Sequence, residues 1–330
     1  MAMTIYDISK KAGVSIATVS RVLNGSENVR PSTRKKVMDV IDKYDYTPNA
    51  FARGMGLHSL KTIGILCADS SDLFLAKAVY FLEQELQANG YESLLCCTGY
   101  NPDIKKNYLN LILSKKVDSI ILVGSHFIGF NEDENQYIKD VSTQVPIMLL
   151  NASFDHPNVY STLCDDYGTM FEAATEMIQS GITDILYLYD SKSYSGLKKL
   201  HGFCDAMKEY NIPGFEKLIH FYDGNIEHLN EVADFVARIA TKGTSFHGIM
   251  TSDDSLAIGS IKYAQKKGIR IPEELSVMGY NNSMLTNCCT PELTSVDNRL
   301  ETQTHQLVQT LLGVLAGEEM PKNRFSLEKS

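Results

Sequence analysis

Residues 4–25 read TIYDISKKAGVSIATVSRVLNG, and this stretch holds the start and stop signals of two short helices. Thr4 is of a type that caps helix N-termini, and Asp7 then lies where a negative charge favours the positive end of the helix. Gly13 ends that helix, because glycine readily adopts the left-handed turn that follows many helices. Ser15 can cap a second helix. The spacing therefore predicts two helices that cross at a tight turn.

A third helix completes this N-terminal unit. Pro31 is favoured in a first helical turn and opens the segment 31–46, in which apolar residues recur at helical spacing. Three short helices around a small core, with one polar outward face, are typical of a helix-turn-helix unit. The residues expected in that core are Ile8, Ala12, Val14, Val19, Val22, Leu23, Val37, Val40 and Ile41.

Charge is distributed unevenly along the 330 residues. The chain has a formal net charge of −9, yet residues 1–60 hold nine Lys and Arg against five Asp and Glu, a net charge of +4. A basic end on an acidic body confines the attraction for phosphate to that end. We therefore expect the N-terminal unit to bind double-stranded DNA.

Composition argues against membrane, metal and disulfide chemistry. No apolar run approaches the roughly 20 residues that cross a bilayer, and the first residues lack the apolar stretch of a signal peptide. We therefore expect a cytoplasmic protein with no membrane partner. The seven cysteines include two adjacent pairs and no Cys-x-x-Cys, which suits reduced thiols better than a zinc site or an unstrained disulfide.

From Thr62 onward, apolar strand-like runs alternate with helix-like segments. This alternation predicts parallel sheets with helices on both faces, and about 270 residues of it fit two doubly wound α/β lobes better than one. The apolar runs lie at 62–68, 92–97, 119–124, 146–151, 184–190, 248–252 and 275–280, and two clear helical segments lie at 74–90 and 253–268. The sequence has no phosphate-binding glycine loop and no Gly-x-Ser-x-Gly elbow, so we expect no cofactor and no enzymatic activity.

The sequence resembles the lactose-repressor/galactose-repressor family of transcription regulators. After the first two helices, VRPSTRKKV at 29–37 and YTPNAFARGM at 46–55 resemble that family, and the N-terminal unit is most similar to its catabolite-control branch. The similarity continues through the core, for example in KLHGF at 199–203 and SDDSLAIGSI at 252–261.

This resemblance implies a domain organisation. A helix-turn-helix headpiece would cover 1–46 and a hinge helix with its linker 47–60, followed by a two-lobed, periplasmic-binding-protein-like core at 61–330. The first lobe would span about 61–160 and 290–318, and the second about 161–289 and 319–330. The C-terminal part is shorter than in most relatives, so the second lobe would lack an edge element.

The resemblance also implies which residues contact DNA. The recognition helix would begin at Ser15 and place Ile16, Ala17 and Arg21 in the major groove, where Arg21 suits a bidentate contact to guanine. Met55 would act as an apolar wedge in the minor groove, in a hinge that orders on DNA. The expected DNA-contacting residues are Thr4, Ser15, Ile16, Ala17, Thr18, Ser20, Arg21, Asn24, Thr33, Asn49, Ala52 and Met55.

A small-molecule effector would bind in the cleft between the lobes, at the C-terminal ends of the strands. The expected contacts are Asp72, Phe74, Ser125, Asn151, Lys199, Ser252, Asp253 and Asn281. Lys199 stands where the family commonly has arginine, and Asn281 where it has aspartate. These changes predict a less acidic pocket that favours an anion such as a sugar phosphate. A neutral sugar, another small metabolite, control by a protein co-regulator, and a cleft that binds nothing tightly remain open alternatives.

The implied function is sequence-specific regulation of transcription, as a repressor that binds a pseudo-palindromic operator as a homodimer. The helix at 74–90 and the region after Cys289 are the expected dimer interface. A soluble solute-binding protein for transport is the weaker alternative, because a basic headpiece serves no purpose there.

Overall fold

The computed structural model describes residues 3–23, 26, 28–44, 46 and 59–325. Within these ranges the chain forms a helical headpiece and two α/β lobes. The expected DNA contacts Asn24, Asn49, Ala52 and Met55, and residues 47–58 of the expected hinge, lie outside the described residues.

The headpiece contains the three helices that the sequence predicts. They are α1 (Ile5–Ala12), α2 (Ile16–Leu23) and α3 (Pro31–Lys43). Thr4 and Asp7 form a reciprocal capping box at the start of α1, and Gly13 ends this helix with φ 64°. Helix α3 ends at Lys43, three residues earlier than predicted, because Tyr46 folds back and its backbone N–H donates to the carbonyl of Ile41.

A small apolar core holds these three helices together. All nine predicted core residues lie in it or against it, and Val29 and Tyr46 join them. Arg34, which the sequence analysis did not single out, ties α3 to the end of α2. Its guanidinium donates to the carbonyl oxygens of Ser26 at 2.5 Å and of Val22 at 3.5 Å. This arginine therefore stabilises the position of α2 relative to α3.

The core of the protein begins at Thr62 and alternates strands with helices. Its elements are β1 (Thr62–Cys67), α4 (Leu73–Ala88), β2 (Glu92–Cys97), α5 (Pro102–Ser114), β3 (Ser119–Val123), α6 (Gln136–Ser142), β4 (Ile147–Leu150), β5 (Val159–Leu163), α7 (Asp166–Gln179), β6 (Ile185–Tyr189), α8 (Tyr194–Glu209), β7 (Ile219–Phe221), α9 (Leu229–Thr241), β8 (Gly248–Thr251), α10 (Asp254–Lys267), β9 (Ser276–Tyr280), β10 (Thr294–Val296), α11 (Leu300–Leu315) and β11 (Asn323–Phe325). The seven predicted strands and both predicted helices are present.

The strands form two parallel sheets, one in each lobe. The first has the order β11-β5-β4-β3-β1-β2 and the second the order β10-β9-β8-β6-β7. Buried apolar side chains cover both faces of each sheet. Helix α11 packs on the first lobe, where Leu307, Val308 and Leu311 join the core formed with α4. The predicted doubly wound α/β architecture is confirmed.

The lobe boundaries differ from the expected ones at two short strands. Strand β10 was expected in the first lobe, but it pairs with β9 in the second sheet. Strand β11 was expected in the second lobe, but it pairs with β5 at the edge of the first sheet. Each strand has only three residues, too few for a periodic pattern to show where it belongs.

All seven cysteines are free thiols, as predicted. No helix in the described ranges is both long enough and apolar enough to span a bilayer.

Helices α7 and α8 pack closely at Gly202. A Cβ atom added there would lie 2.3 Å from the backbone oxygen of Tyr167, which cannot rotate away. We predict that Gly202→Ala lowers the free energy of unfolding by about 1–3 kcal/mol, the usual cost of overpacking. Lys198→Ala, at an exposed position of the same helix, should change it by less than about 0.5 kcal/mol. Urea denaturation checks both values, and equal stability of the two variants would contradict the tight packing.

Candidate DNA-binding and effector sites

The outward face of α2 carries the side chains expected to contact base edges. Ile16, Ala17 and Arg21 are exposed, whereas Val19 and Val22 on the opposite face are buried in the headpiece core. Ile16 is 39% exposed and leaves an apolar surface facing outward. The helix thus presents one cation and two apolar side chains on a single surface.

The other described DNA-contact candidates surround this face as short polar side chains. The Ser15 hydroxyl accepts from the backbone N–H of Thr18 at 3.1 Å, and the two hydroxyls lie 2.8 Å apart. Ser20 and Thr33 are half-buried. Thr4 is exposed, but its hydroxyl donates to Asp7 at 2.7 Å. Hydroxyl groups of this kind bond phosphate oxygens and position a protein on a duplex.

All eight predicted effector contacts line one interlobe pocket. Asp72, Phe74, Ser125 and Asn151 come from the first lobe, and Lys199, Ser252, Asp253 and Asn281 come from the second. The innermost space measures about 90 Å³ and opens into a cleft of about 660 Å³. The sheets point their C-terminal strand ends at each other, so loops from both lobes meet here.

The cleft is acidic, contrary to the sequence-based expectation. Six described carboxylate side chains line it: Asp69, Asp72, Asp190, Asp223, Glu227 and Asp253. Lys199 is the only lysine or arginine among the described lining residues. Its ammonium group donates to the backbone oxygen of Ser252 at 3.0 Å and lies 3.8 Å from the centre of the Tyr280 ring. The replacement of arginine and aspartate at two positions therefore does not remove the negative charge of the pocket.

Burial and mutual repulsion act on these carboxylates. Burial raises the pKa of Asp253 to about 7, with a further contribution from the Asp190 charge. Burial also raises the pKa of Asp72. The backbone N–H of Leu75, which donates to this carboxylate at 2.8 Å, lowers the pKa and partly offsets the effect of burial. Burial lowers the pKa of His126 to about 4, and the Lys105 charge lowers it further, so this imidazole is neutral near pH 7.

Direct hydrogen bonds join the two lobes beneath the cleft. Asn151 follows β4 with φ 58°, and its amide group donates to Asp166 and Ser195 of the second lobe, each at 3.3 Å. Its side-chain oxygen accepts from the backbone N–H of Cys164 at 3.2 Å. Asp166 also accepts from the Tyr280 hydroxyl at 2.7 Å. Asn151 thus links the lobes, with both ends of its amide engaged by protein.

Three serine hydroxyl groups and one imidazole form a second set of interlobe hydrogen bonds. The Ser125 hydroxyl donates to that of Ser193 at 2.8 Å. The Ser191 hydroxyl bonds His126 Nε2 at 3.0 Å and donates to Ser193 at 2.9 Å. These four side chains form a continuous chain of hydrogen bonds across the pocket.

Sequence reasoning missed Asp190, Ser191 and His126. Asp190 and Ser191 directly follow β6 and His126 follows β3, so all three lie at C-terminal strand ends, as the predicted residues do. The same positional rule applied to every predicted strand would have found them. No group of three or more His, Cys, Asp or Glu within the described ranges is arranged to hold a metal ion.

Ionisation of Asp253 should make stability depend on pH. Its pKa is near 7 in the folded protein and near 3.8 as a free side chain, so the folded state holds an extra proton between these values. The associated stability is present below about pH 4 and is lost as the pH rises to about 7, at up to about 1.4 kcal/mol per pH unit. The side chain introduced by Asp253→Asn cannot ionise, so the variant does not lose this stability. We predict that its unfolding free energy rises relative to that of the wild type as the pH increases over this interval. The unfolding free energies of both proteins are measured by urea denaturation at pH 4.5 and pH 7.5. The same difference between variant and wild type at both pH values would contradict the prediction.

Two family models match the chain. Residues 4–49 match the bacterial regulatory proteins of the lacI family, and residues 174–329 match a periplasmic binding protein-like domain. The lac repressor dimer bound to operator and an anti-inducer has the same fold, with a TM-score of 0.87 at 20% identity over 98% of this chain and 96% of that one.

Curated relatives align over nearly the whole length. An HTH-type transcriptional regulator of Lachnoclostridium phytofermentans is 50% identical over 319 residues, which cover 97% of this chain and 95% of the relative. Catabolite control protein A of Priestia megaterium is 33% identical over 303 residues, 90% of this chain and 87% of that protein. The chain therefore belongs to the LacI family of DNA-binding transcriptional regulators.

Proposed function

We propose that this LacI-family regulator is a cytoplasmic, non-enzymatic repressor that binds a pseudo-palindromic operator as a homodimer and responds to a small molecule in its interlobe cleft. The observation that carries the proposal is the pairing of an exposed recognition face on α2 with a polar cleft lined by both lobes. A single chain thereby holds a surface for DNA and a pocket for an effector.

Direct base recognition is assigned to the exposed face of α2. The Arg21 guanidinium can donate two hydrogen bonds to O6 and N7 of guanine, while Ile16 and Ala17 can contact thymine methyl groups. Thr4, Ser15, Thr18, Ser20 and Thr33 would bond phosphates, together with Asn24 and Asn49. Ala52 and Met55 would contact the minor groove, with Met55 as the wedge that bends the operator.

A specificity measurement tests the role of Arg21. We predict that Arg21→Ala weakens binding to the selected operator by about 1–3 kcal/mol and changes binding to random DNA little. Lys43→Ala, an exposed cation at the end of α3, is the matched control and should alter both affinities alike. The operator is first selected from random duplexes with the wild-type protein, and affinities follow from gel shifts at fixed salt. Equal losses on both DNAs for Arg21→Ala would make it a phosphate contact only.

Dimerisation would use the exposed side of α4 and the region after Cys289. Tyr80 on α4 is 52% exposed, and Met284, which lies shortly before Cys289, is 68% exposed, so both offer apolar surface for a partner. A twofold protein matches a pseudo-palindromic operator because each headpiece covers one half-site.

Sedimentation at micromolar concentration tests this assembly. We predict a dimer for the wild type and a shift towards monomer for Tyr80→Glu combined with Met284→Glu, since these charges would be buried in the interface. The exposed substitution Tyr210→Glu on the second lobe serves as the control and should leave the dimer intact. A wild-type monomer that still binds its operator tightly would overturn the dimer proposal.

A further inference from the structure

Among the described residues, none of the cleft carboxylates forms a salt bridge. Asp72 belongs to the first lobe, whereas Asp190 and Asp253 belong to the second, and the Asp190 charge raises the pKa of both others. Each of the three carboxylates accepts a hydrogen bond from a neutral group: Asp72 from the Leu75 backbone N–H at 2.8 Å, Asp190 from the Ser252 hydroxyl at 2.9 Å, and Asp253 from the Asn281 amide at 2.8 Å. These bonds orient the carboxylates but do not neutralise them.

Neither Lys199 nor His126 forms a salt bridge with these carboxylates. The Lys199 ammonium is held by the Ser252 backbone oxygen and the Tyr280 ring on the second-lobe side of the pocket. His126, which lines the same pocket, is neutral near pH 7 because its pKa is lowered to about 4. Partly buried charges without a partner are costly, so a ligand that brings positive charge gains more here than a neutral one.

A metal ion does not fit this arrangement. Within the described ranges, no three His, Cys, Asp or Glu side chains come together closely enough to hold one. The carboxylates are instead spread along a cleft of about 660 Å³, so the complementary charge must belong to an extended molecule. Aromatic side chains that line the same space, including Phe74, Tyr100 and Phe221, offer ring faces that favour an organic cation.

We propose that the effector of this regulator is an organic cation, a polar metabolite with an amine, guanidine or quaternary ammonium group held between Asp72, Asp190 and Asp253. The inference rests on the proposed function of the cleft as an effector site. The cation would contact carboxylates from both lobes, so its binding would draw the lobes together, whereas an anion would be repelled by the same groups.

Matched pairs of compounds that share a skeleton and differ in charge test this proposal. Thermal shift with the full chain would compare arginine with citrulline, glucosamine with N-acetylglucosamine, putrescine with butanediol, and choline with its neutral carbon analogue. We expect at least one cation to raise Tm and its neutral partner to have no effect, with an affinity ratio of about tenfold or more by calorimetry. Equal binding within every pair, tighter binding of neutral or phosphorylated sugars, or no binding by any cation would overturn the proposal.

Two substitutions give opposite outcomes for cations and anions. Asp190→Asn should weaken the cation about tenfold or more, whereas Glu172→Gln, at an exposed position of α7 in the same lobe, should not. Lys199→Met should leave cation affinity unchanged or increase it, but it would abolish binding of an anionic effector. Melting curves verify that each variant is folded.

The pH dependence of affinity supplies an independent readout. Asp253 faces Asp190, Asp72 and the neighbouring Asp254, which favour its protonated form, while Lys199 and Asn281 lie beside it. Since its pKa is about 7, cation affinity should rise from about pH 6 to about pH 8 as this carboxylate ionises. The Asp253→Asn variant should lose that rise. Operator binding without any effector is measured separately, so failure of the effector class leaves the DNA-binding proposal standing.

Discussion

The arrangement of the core depends on a buried hydrogen-bonded junction between its lobes. Asn151 reaches from the end of β4 to Asp166, at the first residue of α7, and Asp166 also accepts from the Tyr280 hydroxyl at the end of β9. Each of these side chains is buried, and an unpaired buried polar group costs about 1–3 kcal/mol. The lobes therefore cannot part at this point without leaving polar groups unsatisfied, and the junction fixes the base of the cleft.

The chain of hydroxyl groups through Ser125, Ser193 and Ser191 to His126 differs from this junction in kind. Serine hydroxyls rotate freely and exchange protein partners for water at little cost, and these side chains line the pocket directly. The interlobe contact therefore has two parts: the Asn151 junction, whose hydrogen bonds are costly to break, and the hydroxyl chain, whose hydrogen bonds can rearrange. A ligand in the cleft can thus change the distance between the lobe surfaces that line it, while Asn151 keeps the lobes joined beneath it.

The fold was largely predictable because its strongest signals are local. Seven apolar runs became strands, Thr4, Gly13 and Pro31 marked helix ends as predicted, and the apolar spacing gave the headpiece core. Strand β5 was missed because Tyr160, Ser161 and Thr162 interrupt its apolar pattern. Strands β7, β10 and β11 have three residues each, so only their pairing reveals them. The lobe boundaries failed for the same reason.

The effector pocket shows a different limit. The positions of its residues followed from the rule that ligands bind at C-terminal strand ends and from family resemblance, and all eight predicted side chains meet there. Its charge did not follow, because the expectation rested on a few substituted positions, such as Lys199 and Asn281, and not on the whole lining. Net charge in a cleft is a sum over every loop that reaches it, and Asp190 at the end of β6 adds a carboxylate to those of Asp72 and Asp253. A substitution at one position therefore does not predict the charge of a ligand by itself. The charged residues at the other strand ends that line the same cleft must also be known.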